Sequence, residues 1–195
     1  MHVAPLMSAY LARYPGVVGE LTLADRIINL VEDSIAVAVR IGVLSDSSLV
    51  ARKIGETRRV VVAAPSYLAD RPPIATCEDI AAHAVIQFTG VQSAPEWRFF
   101  AGDRPQLVAL NPSFVTNSAD AAIAHAERGG GLTMVLAYQV AEAVRAGRLA
   151  VVLPALEPPP PPIHLVYPST RLLSAKVRAF VELAVATCRW QFVDL

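Results

Sequence analysis

Residues 36–68 read AVAVRIGVLSDSSLVARKIGETRRVVVAAPSYL, and the fold turns on this stretch. It opens with a strand-like apolar run that closes at Arg40 and passes through a turn of small polar residues, Ser45, Asp46, Ser47 and Ser48. A second apolar run, Val60–Ala64, is cut off by Pro65. Proline has no N–H to give a ladder, so it ends a central strand. The second run is predicted as a crossing from one lobe to another. The remaining chain then builds the second lobe and returns, and a binding site is expected where the crossings leave a cleft.

Upstream, residues 6–14 are predicted as a helix, with Met7, Tyr10, Leu11 and Tyr14 on one face and Pro15-Gly16 as its stop. Residues 17–23 are expected to form a strand. Residues 25–33 are expected to form a helix with Ile27, Leu30 and Val31 inward, and residues 35–41 the next strand. This alternation with short loops predicts a parallel α/β sheet. Such a sheet calls for a strand before the first helix, and only residues 1–4 precede it. The first lobe is therefore expected to be one strand short and marginal, with an exposed edge.

Downstream, strands are expected at 49–53 and 58–64, a helical turn at 66–70, and a helix at 76–82 with Thr76 as N-cap and Asp79 three residues on. A strand at 84–88 precedes an antiparallel excursion around Trp97, Phe99 and Leu107. A strand at 113–116 leads to an Ala-rich helix at 119–128, stopped by Gly129-Gly130-Gly131. Strand 132–136, helix 138–146 and strand 149–153 follow. Pro158–Pro162 are five consecutive prolines, read as a stiff polyproline return. Strand 163–167 and a helix capped by Ser174 close the chain, with Val177, Phe180, Val181, Ala184 and Val185 on its inner face. The predicted organisation is lobe one from 1–64 with 163–195, and lobe two from 65–162.

The bulk numbers fit a compact chain able to bury a sizeable core: 54% of the 195 residues are hydrophobic and 17% are charged, against about 25% charged in an average globular protein. Seventeen basic and seventeen acidic residues cancel, so the basic excess of a nucleic-acid surface is missing. No uncharged apolar run reaches the roughly 18 residues of a membrane span. Cys77 and Cys188 are far apart with no CxxC, which predicts two buried thiols in a reducing cytosol. The first residues lack a secretory pattern, so the expected location is cytoplasmic.

GxSxG, HExxH and GxxxxGK[ST] are all missing, so no enzyme chemistry is predicted. The four histidines share no metal-ligand spacing and are expected to be surface or capping residues. No metal and no cofactor is expected. Asn117-Ser118 lies where a strand ends and a helix begins, with Asp120 three residues beyond Asn117. Backbone N–H groups at such a helix start form an anion site, and Asn117 can cap the helix and touch a ligand at once. Arg40, near the end of a buried strand, either holds an anionic ligand as a forked donor or pairs with Asp25 or Asp46.

At Ile35–Gly42, Asp46–Arg52 and Arg58–Leu68 the sequence closely resembles the effector-binding domain of LysR-type transcriptional regulators. Later stretches agree: Trp97-Arg98-Phe99, Thr116-Asn117-Ser118, Gly147-Arg148-Leu149, Val166-Tyr167-Pro168 and Lys176–Phe180. The resemblance implies an α/β fold of two Rossmann-like lobes joined by two crossover strands, like type 2 periplasmic-binding proteins. It also implies a small anionic or aromatic effector in the interlobe cleft. Carried onto this sequence, the effector-binding residues are Asp25, Arg40, Gly42, Leu44, Pro65, Ser66, Asn117, Ser118 and Tyr167. The family pairs such domains, which implies a homodimer or tetramer. DNA contact would come only through a helix-turn-helix domain, which this sequence lacks, so a truncated regulator is expected. A free-standing solute-binding protein of the same fold is the alternative. Ala36 and Asn29 stand where the family usually has Asp, so its ligand preference does not carry over.

Overall fold

The computed structural model describes all residues except 1, 24–28, 31, 45–48, 170–173, 189, 193 and 195. The chain divides into two compact units, residues 1–56 with 161–191, and residues 57–160 with 192–195.

In the first unit, helix α1 (Val3–Arg13) is tied to the long C-terminal helix of that unit. The Tyr10 hydroxyl donates to the Lys176 carbonyl at 2.8 Å, and its ring meets Phe180 edge-on at 5.2 Å. Strand β1 (Ala38–Ile41) is followed by β2 (Leu49–Thr57), longer than the five residues expected. Residues 17–23, expected as a strand, join no ladder, and Val18 and Leu23 are almost fully exposed. The expected 25–33 helix falls largely outside the described residues. The described part is a turn around buried Leu30, whose carbonyl accepts from Ile35 N.

The second unit starts at strand β3 (Arg59–Ala63). Both its faces are buried: Val60 and Val62 join one core cluster, Val61 and Ala63 the other. Each fully buried valine contributes about 1.5–3 kcal/mol. Helix α2 (Pro65–Ala69) begins with Pro65 in the first turn, where a missing N–H costs nothing. The expected 76–82 helix is a short 3-10 turn at Glu78–Ala82, held by the Asp79 carboxylate. That carboxylate accepts from the backbone N–H groups of Thr76 and Ala75 at 2.8 and 2.9 Å, which holds its pKa below the usual range. Strand β4 (Val85–Phe88) precedes the antiparallel hairpin β5 (Glu96–Ala101) and β6 (Arg104–Ala109), which buries Trp97 and Phe99 as expected.

Strand β7 (Pro112–Thr116), helix α3 (Ala119–Glu127), strand β8 (Leu132–Leu136), helix α4 (Ala137–Arg145) and strand β9 (Ala150–Val152) complete this unit. Its five-stranded sheet has the order β7-β4-β8-β3-β9. The first three strands are parallel, and β3 runs antiparallel to β8 and β9. The expected parallel arrangement holds here for those three strands only.

The chain returns to the first unit through β10 (Pro162–Pro168), helix α5 (Ala175–Thr187) and β11 (Trp190–Phe192). The sheet order is β1-β10-β2-β11, and β10 pairs antiparallel with both β1 and β2. The parallel sheet expected for residues 1–41 is thus replaced, because β10 inserts from far along the chain. Pro162 opens this central strand, which proline tolerates at a first position. The brief β11 was not foreseen. Gly55 allows its approach, since a Cβ there would collide with the Trp190 carbonyl. On α5, Val177, Phe180, Val181 and Ala184 are buried, but Val185, expected on the same inner face, is 46% exposed.

Three further expectations change. The strand expected as the outbound crossing lies wholly within the second unit, where β8 and β9 flank it. His83, expected at the surface or as a cap, is not at the surface: it is the C-cap of the Glu78–Ala82 turn and is buried against Tyr67, with ring centroids 5.8 Å apart. Ser118, not Asn117, caps α3: its Oγ accepts from Ala121 N at 3.3 Å. Both thiols are buried, and burial pushes each pKa up.

Near the ends of the 57–160 segment, Arg58 forms a forked ion pair with Glu157, with two N–H···O bonds of 2.7 Å. Arg58 N also donates to the Phe192 carbonyl at 3.3 Å. A bidentate, partly desolvated pair outweighs an open surface one. Arg58→Ala and Glu157→Ala should each lower unfolding free energy by about 2 kcal/mol. The double variant should lose much less than the sum in urea melts. Ser118→Ala should cost about 1 kcal/mol as a lost cap, while Asn117→Ala should leave the melting midpoint unchanged; equal losses would return the capping role to Asn117.

Candidate functional site

The strand directions decide which loops share an end of each sheet. In the second unit, β7, β4 and β8 end at Thr116, Phe88 and Leu136, and their parallel register puts these carboxyl ends together. Ligands of open α/β sheets sit at such ends. Because β3 runs the other way, Arg59 lies beside Leu136 at this same end. Helices α3 and α4 both start here, and they pack on the same face of the sheet. Each start carries about half a positive charge.

Hydrogen bonds set the rim. Thr89 N donates to the Thr116 carbonyl at 2.9 Å, and Ser118 N donates to the Thr116 hydroxyl at 3.1 Å. Leu136 N donates to Gln139 Oε1 at 2.9 Å, and Ala137 N to the Arg58 carbonyl at 2.9 Å. The buried Gln87 amide donates to the carbonyls of Ser93 and Ala94, both at 3.1 Å, and so holds the loop leaving β4. Asn117 is exposed on this rim, and Ser118 is half-buried. The arrangement suits a small oxyanion or a polar ring substituent. Thr89 was missed by sequence reading. Its signal was faint: a threonine followed by Gly90 after the buried run Val85–Phe88.

Pro65 and Ser66 do not join Asn117 and Ser118. They follow the far end of β3, beyond Ala63, where the tyrosine of α2 is stapled to the start of β4: Ala84 N donates to the Tyr67 hydroxyl at 2.9 Å. Five residues of strand separate the two ends, roughly 15 Å. The physical cause is the reversed direction of β3.

In the first unit, Arg40 lies opposite His164, and Gly42 N donates to the Pro162 carbonyl at 2.9 Å. Gly42 has a φ of 116°, a conformation that favours glycine. Gly42 and Leu44 follow β1 at the end of the sheet where β10 begins and β2 ends. Tyr167 lies at the other end of β10, opposite Val50, and is only 1% exposed. Asp25 and the Ser45–Ser48 turn, including the proposed Arg40 partner Asp46, lie outside the described residues. Among the described residues no cluster of His, Cys, Asp and Glu could hold a metal, and no helix is long and apolar enough to cross a membrane.

Residues 1–189 match the model of the LysR substrate binding domain. An HTH-type transcriptional repressor of Pseudomonas aeruginosa is 34% identical over 182 residues, 92% of this chain and 57% of the relative. The HTH-type transcriptional regulator PtxR of the same species is 32% identical, over 93% of this chain and 58% of the relative. The chain therefore spans under three fifths of the length of these curated relatives. The regulatory domain of CrgA, a LysR-type transcriptional regulator from Neisseria meningitidis, superposes with a TM-score of 0.82 at 26% identity, covering 96% of this chain and 92% of that one. The full-length Vibrio cholerae virulence activator AphB gives a TM-score of 0.83 at 23% identity, covering 96% of this chain and 64% of that one, a likeness of fold. With the match running from residue 1 to 189, the chain belongs to the LysR substrate-binding domain family, the regulatory domain of LysR-type transcriptional regulators.

Proposed function

We propose that this chain senses a small anionic or aromatic effector for a cytoplasmic LysR-type regulator, by binding and without turnover. The observation that carries the reading is the rim of the second unit. Three parallel strands end together there, two helix N-termini start beside them, and Ser118 and Asn117 stand at the mouth. Within the first unit, Arg40 on β1 and Gly42 and Leu44 just after it remain effector-binding candidates of that unit, at the end of the sheet where β10 begins and β2 ends. Binding to one of two conformations would shift their balance and so report the effector to the DNA-binding part of the regulator. Pro65 and Ser66 support the rim from the far end of its own sheet rather than by contact, and Tyr167 supports the interior of the first unit.

The chain also works as an oligomerisation module, as a homodimer. Strand β7 closes one edge of the second unit's sheet and carries Phe114 and Val115, which are 37% and 54% exposed. Open edges with apolar side chains invite a partner.

A thermal-shift panel of aromatic and carboxylate metabolites should find a stabiliser, since a ligand at 100 times its Kd raises stability by about 2.7 kcal/mol. Asn117→Ala should weaken that ligand while sparing the melt of the free chain. Silence across the panel, or unchanged affinity in both Asn117→Ala and Arg40→Gln, sinks the sensing role. Light scattering after size exclusion should give a dimer for the native chain and a monomer for Val115→Asp; a monomeric native chain sinks the assembly.

A further inference from the structure

The tip of the β5–β6 hairpin and the proline run come together at the Arg58–Glu157 pair. They line an open cavity of about 390 Å3, a size typical of small-molecule sites. Every lining residue belongs to the second unit. Of these residues, Arg58 alone also serves the rim, through the carbonyl that accepts from Ala137 N.

The walls are stiff for local reasons. Gly102 and Asp103 form the two-residue turn between Ala101 and Arg104. Gly102 has a φ of 61° at the first central position, where tight hairpin turns favour glycine. Strand alternation puts Phe100 on the outer face of β5, since Trp97 and Phe99 are buried on the inner one. Phe100 is half-buried and lines the cavity. A further wall is Pro158–Pro160, whose rings fix φ. The chain enters it through the 3-10 turn Pro154–Leu156, which packs on β5 and sets Leu156 against the core that holds Trp97 and Phe99. Walls that are already ordered lose little entropy when a ligand arrives.

The charges select the ligand. Arg58 gives its fork to both oxygens of Glu157, so these two charges answer each other inside the lining. Asp103 adds an exposed carboxylate with no ion pair among the described residues. One arginine, one glutamate and one aspartate leave the lining with a net negative charge. Arg104 follows Asp103 but does not line the cavity. An anion would meet Asp103 and an arginine already engaged by a carboxylate. A cation would meet an unpaired carboxylate beside an aromatic ring, and both attract it. Phe100 and the proline rings supply apolar surface for the rest of the molecule.

We propose that this cavity binds a small organic ammonium ion with a ring or short apolar body. The ammonium group donates to the Asp103 carboxylate, and the body packs against Phe100 and the prolines. The site goes beyond the effector reading and does not depend on it: the cation site uses no residue of α3 or α4.

The test is an NMR titration of the isotope-labelled 195-residue chain with benzylammonium chloride. Sodium benzoate serves as the ring of opposite charge and benzyl alcohol as the neutral one, all matched in ionic strength with sodium chloride. Saturable shifts of the Phe100, Gly102 and Asp103 amides are expected with benzylammonium. Asp103→Asn should weaken binding about tenfold, the loss of one charge-assisted contact. Phe100→Leu should weaken it about threefold. Neither residue belongs to the two core clusters of this unit, and the spectra themselves report folding. Should Phe100→Leu fail to fold, Asp103→Asn decides. No saturable shift with benzylammonium overturns the proposal, as does equal binding of benzoate or benzyl alcohol. Binding untouched by Asp103→Asn also overturns it. Shifts centred on Asn117 and Ser118 overturn it as well, by assigning the cation to the α3 rim.

Discussion

The direction of one strand organises the second unit. Arg59–Ala63 runs antiparallel between β8 and β9 in a sheet whose other described pairings are parallel. Its valines are buried on both faces, so it cannot flip or slip without exposing them. That constraint puts Arg58 and Arg59 beside the carboxyl ends of β4, β7 and β8. It sends Pro65 and Ser66 to the far end of the sheet. The candidate rim, the Arg58–Glu157 pair and the place of Arg59 beside Leu136 all follow from this direction.

The same end of the unit gathers most of the polar work. The forked Arg58–Glu157 pair joins the first and last parts of the 57–160 segment. Thr116 serves two neighbours, accepting at its carbonyl from Thr89 and at its hydroxyl from Ser118. Gln87 and Gln139 satisfy backbone groups that would otherwise be left open. Such satisfied networks hold loops rigid, and a preorganised rim loses less entropy when a ligand arrives. The far end carries the contrasting arrangement, where Tyr67, His83 and Ala84 pack an apolar staple.

Much of the fold was legible because its signals are local. Pro65 marks a helix start, and Gly129–Gly131 mark a helix end. The glycines do more than terminate the helix: a Cβ at Gly131 would strike the Ala84 carbonyl, and one at Gly130 would strike the His125 ring. Asp79 beside Thr76 announced a helical start, but the turn is a short 3-10 one, its N-cap residue is Cys77 rather than Thr76, and the Asp79 carboxylate accepts from the Thr76 and Ala75 backbone instead. The Trp97 and Phe99 alternation gave a hairpin. The candidate site was legible only in part. Asn117-Ser118 stood out as a strand-to-helix turn, but which residue caps depends on which φ/ψ the neighbours adopt. Ser118, with ψ in the extended region, takes the role.

The amino-acid order by itself determined the α/β class, the alternation in the second unit, the family and the polar strand-to-helix turn that heads the candidate site. Each depends on spacing over a few residues, where backbone sterics and side-chain period act directly. Tertiary structure alone decided the insertion of β10 between β1 and β2, the pairing of β11 through Gly55, the burial of His83 and Tyr167, and the separation of Pro65 from Ser118. These depend on partners tens to more than a hundred residues away. A strand's direction and neighbours come from which apolar faces close together, and no local pattern records that choice.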